Sequence, residues 1–122
     1  MSLRFAEIQS FVSDLARARA FYEGVLGLPV RQGGEGWLAL DCGVELILMA
    51  GASPAPHQAN YGRERATVLC LACGDIEAET ARLRVAGVRF LTEILTVPQG
   101  RYAALEDPDG NLLELVQPRE KA

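Results

Sequence analysis

A chain of 122 residues, 49% apolar and 23% charged, has the size and composition of one folded domain with a sizeable core, and it does not read as a disordered segment. Its formal charge of −4 and the lack of a basic block argue against a nucleic-acid or anionic-membrane partner, and no apolar run approaches the roughly 18 residues of a membrane span. Three cysteines, an odd number, argue against a disulfide framework; with no signal peptide ahead of the first strand, they point to a reducing cytoplasm.

Arg4 to Phe11 alternates as a strand, with Phe5, Glu7, Gln9 and Phe11 on one face. Asp14 is placed to cap a helix over Leu15 to Leu26, which puts Ala18, Phe21, Tyr22 and Val25 on its apolar side; Gly27 ends it. A short strand at Val30 to Gln32 follows, then a hairpin of Trp37 to Asp41 and Val44 to Met49. Gly51 to Glu64, with two prolines and the only histidine, His57, reads as a linker. Beyond it come a strand at Ala66 to Ala72 and a helix at Ile76 to Ala86, capped by Asp75 and ended by Gly87. A strand at Val88 to Leu91 and a looser run from Thr92 to Gln99 follow.

The last stretch is a hairpin. Tyr102 to Glu106 and Leu112 to Gln117 flank the turn Asp107-Pro108-Asp109-Gly110, whose proline and glycine suit the required φ values. Alternation puts Leu113 and Leu115 on one face and Leu112, Glu114 and Val116 on the other. An acid between apolar neighbours marks either a wet sheet face or a lined cavity.

The order is thus βαβββ, linker, βαβββ, with module one at about 4–50 and module two at about 66–118. Asp14 answers to Asp75 and Gly27 to Gly87 at an offset of about sixty residues, the mark of a duplicated supersecondary unit. A unit this small cannot easily cover its own sheet, which suggests two half-sheets curving around a shared space.

Two motifs carry a resemblance. Val12-Ser13-Asp14-Leu15, leading to Phe21-Tyr22 and Leu26-Gly27-Leu28, and the ending from Glu106 through Asp107-Pro108-Asp109-Gly110-Asn111 to Leu112-Leu113-Glu114-Leu115 resemble the vicinal oxygen chelate superfamily. That group includes glyoxalases, extradiol dioxygenases, and bleomycin and fosfomycin resistance proteins. The resemblance implies an α+β fold, a single glyoxalase-like domain of two βαβββ modules forming an open, barrel-like cup, and a homodimer. It also implies four metal-ligand positions, which fall here on Glu7, Ile47, Val68 and Glu114. Ile47 and Val68 offer no donor atom, and no histidine stands at any of the four. The expectation is therefore no tightly bound metal; the two carboxylates, with water, could hold Mg²⁺ or Mn²⁺ weakly.

Within such a cup, Glu7 and Glu114 read as an acid/base pair or as solvated carboxylates. Trp37, Glu45, Ile47 and Met49 from module one, and Val68, Cys70, Arg101 and Tyr102 from module two, are the candidate ligand-binding residues. Trp37 and Tyr102 begin corresponding strands and could wall a pocket or fill a core. Arg101 could meet an anionic group at the cleft mouth or neutralise Glu106. Cys70 and Cys73 are spaced as a C-x-x-C, but residues three apart on a strand face opposite ways, so packing is the simpler reading. Two functions follow. One is a binding protein of the bleomycin-resistance type that sequesters a small organic molecule in an apolar cleft. The other is a divergent divalent-metal or acid/base enzyme, a glyoxalase-like lyase or isomerase, using Glu7 and Glu114.

Overall fold

The computed structural model describes residues 5–52 and 67–119, in two compact units that divide between Ala55 and Pro56. His57 lies outside the described residues. Unit one holds β1 (Ile8–Val12), α1 (Leu15–Arg19), a π-helical continuation (Ala20–Val25), β2 (Val30–Gly34), β3 (Trp37–Asp41) and β4 (Glu45–Ala50). Unit two holds β5 (Leu69–Ala72), α2 (Ile76–Val85), β6 (Leu95–Val97), β7 (Gly100–Glu106) and β8 (Leu112–Pro118). Each unit folds one four-stranded sheet, ordered β1-β4-β3-β2 in the first and β5-β8-β7-β6 in the second. In both, the last strand runs parallel to the first and antiparallel to its predecessor. The duplication expected from the spacing is therefore a duplication of topology.

One face of each sheet is sealed by its helix. In unit one, Val12, Leu38, Leu40, Leu46 and Leu48 alternate onto that face and are buried, with Ala18 and Tyr22 of the helical segment also buried. Each such aliphatic side chain contributes about 1.5–3 kcal/mol on leaving water. Unit two repeats the pattern with Ala103, Leu105, Leu113 and Leu115 on the sheet and Ile76, Thr80 and Leu83 on α2. The caps form as the sequence predicts: Asp14 Oδ1 accepts from Arg17 N at 3.0 Å, and Asp75 Oδ1 from Ala78 N at 3.1 Å. Among the described residues no helix is long and apolar enough to cross a membrane.

Three local expectations need correction. The first helix is α-helical only to Arg19; beyond it the backbone widens, and Leu26 N donates to Phe21 O at 2.9 Å, five residues back. That wider turn lets the adjacent Phe21 and Tyr22 both be buried, packed edge to face with centroids 5.1 Å apart. The strand expected at Val88 to Leu91 is reduced to a single bridge, Phe90 to Leu105, with the Arg84 guanidinium 4.5 Å from the Phe90 ring centroid. The paired strand is β6, within the run Thr92 to Gln99 expected to be looser. Between them Thr92 Oγ1 accepts from Ala104 N at 3.0 Å, so a side chain replaces a ladder carbonyl there. The first strand pairs only from Ile8 onward, in register with Leu46 to Ala50 of β4.

Candidate functional site

The other face of each sheet carries the candidate residues, and the register shows how alike the two faces are. In unit one, Phe11, Met49, Trp37 and Gly34 stand side by side across all four strands, and Gln9, Ile47, Ala39 and Gln32 form the next row. In unit two, Ala72, Val116, Tyr102 and Leu95 form the first row, and Cys70, Glu114 and Ala104 the second. Trp37 and Tyr102 thus occupy equivalent places, as do Ile47 and Glu114, and Gln9 and Cys70. Of these, Gln9, Phe11 and Val116 were not singled out from sequence. The signal was available, since each lies an even number of residues from a candidate on its own strand.

Unit one presents an apolar face. Phe11 is 57% exposed, Trp37 and Met49 are half-buried, and Ile47 is buried between them and the polar Gln9. The Trp37 indole lies flat against Gly34, where an added Cβ would come within 2.3 Å of Nε1. Trp37 also borders a groove of about 590 Å³ whose other walls, among them Leu15 and Arg19 of α1 and the helix-side Leu38, put it at the helix side of the β2–β3 edge rather than on the open face. Glu45 stands at the far end of β4, where it pairs with Arg31 and opposes Asp41. Glu7 lies exposed in the extended run before β1, accepting from Gln9 Nε2 at 3.0 Å.

Unit two is more polar at its centre. Glu114 is half-buried between Ala104 and Cys70, and the Cys70 thiol donates to Glu114 Oε1 across 3.7 Å. Val68 lies two residues ahead of Cys70, half-buried, and Tyr102 is half-buried in the neighbouring row. Partial burial raises the Cys70 pKa above its ordinary value, and the Glu114 charge and hydrogen bond raise it further. Desolvation likewise raises Cys73, helped by Glu79. Both thiols are free, and both are pushed away from the thiolate that a redox C-x-x-C needs. An alkylation assay at pH 8 checks this assignment. Cys70, followed by peptide mass spectrometry, should react slowly with iodoacetamide in the native protein and severalfold faster in Glu114→Gln, because removing the carboxylate charge lets more thiolate form.

Arg101 is the candidate that the fold removes from this face. It precedes Tyr102 on β7, so alternation turns it to the helix side, where its guanidinium meets Glu77 Oε1 of α2 at 3.0 Å. Neither does it neutralise Glu106; that carboxylate is buried, with Arg89 Nε 4.0 Å away.

The four positions that the resemblance marks do not suit a tightly held divalent metal. Ile47 and Val68 have no donor atom, and the thiol beside Glu114 is held neutral. Among the described residues no three His, Cys, Asp or Glu side chains gather closely enough to ligate an ion.

Residues 4–115 match the family model of the Glyoxalase/Bleomycin resistance protein/Dioxygenase superfamily. YurT, an uncharacterized protein of Bacillus subtilis (strain 168), is 31% identical over 118 residues, covering 88% of this chain and 93% of its own. TnmS3, an antibiotic-binding protein from Streptomyces sp. CB03234, is 30% identical with a TM-score of 0.74, covering 98% of this chain and 99% of its own. A glyoxalase/dioxygenase from Nostoc punctiforme, at 19% identity, shares the fold with a TM-score of 0.81 over 96% of this chain and 92% of its own. By its family-model match and its repeated βαβββ topology, the chain belongs to the glyoxalase/bleomycin resistance protein/dioxygenase superfamily.

Proposed function

We propose that this protein binds a small organic molecule and sequesters it without metal chemistry, working as a homodimer. The observation that carries the reading is the apolar row of Phe11, Met49 and Trp37 beside Ile47. This is an exposed, aromatic surface next to a ligand position that has lost its donor. Such a face suits a ligand with flat apolar parts, since aromatic side chains give large contact area at low entropic cost. The antibiotic-binding relative, at 30% identity over nearly the whole chain, supports the same direction.

Trp37 is the only tryptophan, so its emission reports on this face. Titration with a panel of aromatic antibiotics should give at least one saturable change in emission together with a raised Tm, since a ligand that binds only the native state stabilises it. For that ligand Trp37→Ala should weaken binding by about tenfold, the loss of one aromatic anchor. Near-stoichiometric divalent metal in protein purified without chelators would instead sink the metal-free reading.

One observation favours a second reading, an acid/base lyase or isomerase: the half-buried Glu114 with a thiol donor at its oxygen. Turnover of a confirmed substrate that survives Glu114→Gln unchanged would remove it.

A further inference from the structure

The side to which Arg101 turns is not featureless. On the helix-side face, Thr96 of β6, Arg101 of β7 and Gln117 of β8 stand in one cross-strand row. With Val97, Pro98, Pro118 and Arg119 they border a hollow of about 360 Å³ at the β6–β7 end of unit two. Its floor is main chain at Gly100, packed so closely against β8 that an added Cβ would lie 2.3 Å from Gln117 O. Arg101 and Arg119 are among its lining residues, and among the described residues no Asp or Glu lines it.

We propose that this hollow, at the β6–β7 end of the sheet where residues of both faces meet, is a binding site for a small organic acid, set apart from the rows of Tyr102 and Glu114. Arg101 and Arg119 hold its oxyanion, and Val97, Pro98 and Pro118 contact its apolar body. Charge complementarity selects an anion, and the planar guanidinium fork matches both carboxylate and phosphate oxygens. Size selects an organic one. A water takes about 30 Å³, so a bare ion would leave most of the space and all of the apolar wall unused. Gln117 adds a donor. Its Oε1 accepts from Ile76 N at 2.9 Å, which anchors the amide and leaves Nε2 to donate. Thr96 supplies a hydroxyl.

Glu77 is the internal competitor. Its carboxylate holds Arg101 at 3.0 Å, yet its side chain is 72% exposed, and an ion pair this wet yields readily to a better-placed anion. That arrangement makes a prediction no merely structural role of Arg101 would share: Glu77→Gln should tighten anion binding.

The test is a titration of the full chain, followed by amide NMR shifts, with benzoate, phenyl phosphate and the neutral benzyl alcohol. The expected result is saturable shifts confined to Thr96–Arg101 and Gln117–Arg119 with at least one of the two anions. Benzyl alcohol should bind about tenfold more weakly, the loss of a charge-assisted contact. The tighter of the two anions tells carboxylate from phosphate. Arg101→Gln and Arg119→Gln should each weaken binding about fivefold, the scale of an exposed charge contact, and Glu77→Gln should strengthen it severalfold. The proposal is overturned if neither anion outbinds benzyl alcohol, if both arginine variants bind as the native protein does, or if the shifts fall on the Tyr102 and Glu114 face. Because that face binds through other residues, the outcome is independent of the sequestering function.

Discussion

Gly100→Ala is expected to destabilise the protein by about 3 kcal/mol, or roughly 10 °C in Tm for a chain of this size, measured by thermal or urea unfolding. Gly100 has φ +149 and opposes Pro118 in the β7–β8 ladder. A methyl group there would sit 2.3 Å from Gln117 O, 2.9 Å from Arg119 N and 3.0 Å from Pro118 Cα. All three are backbone atoms, which cannot rotate out of the way as a side chain would. The strands must part at this end, and the Arg119 N to Gln99 O hydrogen bond at 2.8 Å goes with them. The same parting dismantles the hollow between Arg101 and Arg119, so benzoate binding should fall together with stability. A Tm within about 2 °C of the native value would show that β8 can shift at little cost.

Asp107→Ala should cost a similar amount, about 3 kcal/mol, for a different reason. Asp107 is 2% exposed at the head of the β7–β8 turn. Its Oδ1 accepts from Asp109 N at 2.9 Å and from Asn111 N at 2.8 Å, and its Oδ2 from Asn111 Nδ2 at 2.8 Å. Gly110, at φ +85, lets the chain fold back so that these donors converge on one carboxylate. Alanine leaves the donors without their acceptor in a site from which water is largely excluded. Asp107→Asn is the informative control. It can keep the Oδ1 contacts while setting an amide donor against Asn111 Nδ2, so the loss should be about 1 kcal/mol. Equal losses for the two variants would mean that charge, rather than the hydrogen-bond geometry, holds the turn.

Much of the architecture was legible because it rests on local chemistry. Asp14 and Asp75 announce their helices through capping, and the Asp107–Gly110 turn announces its hairpin. The repeated spacing of these marks predicts a duplicated unit. What stayed hidden depends on partners distant in sequence. The π-helical turn after Arg19 serves to bury Phe21 and Tyr22 together, and a periodic pattern cannot reveal that demand. Val88 to Leu91 reads as a strand on composition. Which segment pairs β7 is decided instead by Thr92 bonding to Ala104 and by Phe90 bridging to Leu105.

The candidate site was legible in part. Trp37, Ile47 and Met49 share the face that alternation predicts, as do Cys70, Tyr102 and Glu114. Arg101 is different, because alternation alone already separates it from its neighbour Tyr102. Charge offers it two partners, an anion at a cleft mouth or Glu106, while strand geometry turns it to the helix side, where it meets Glu77. The contact between Cys70 and Glu114 joins residues far apart in the chain, and only the parallel register of β5 on β8 brings them together.

The order in which each sheet is closed has a consequence for how the protein is made. In both units, among the described residues, the first strand pairs only with the last one, β1 on β4 and β5 on β8, so neither of these sheets can be completed from one end. During synthesis unit one has all its strands once Ala50 has emerged. β5, made by Ala72, must wait until residues 112–118 arrive. Over that interval the nascent chain carries a first unit with all its strands made and a second whose apolar β5, with its thiol, has no strand beside it. Slow translation between Ala72 and Leu112 should therefore be the condition under which this protein is most prone to aggregate, and most dependent on a chaperone.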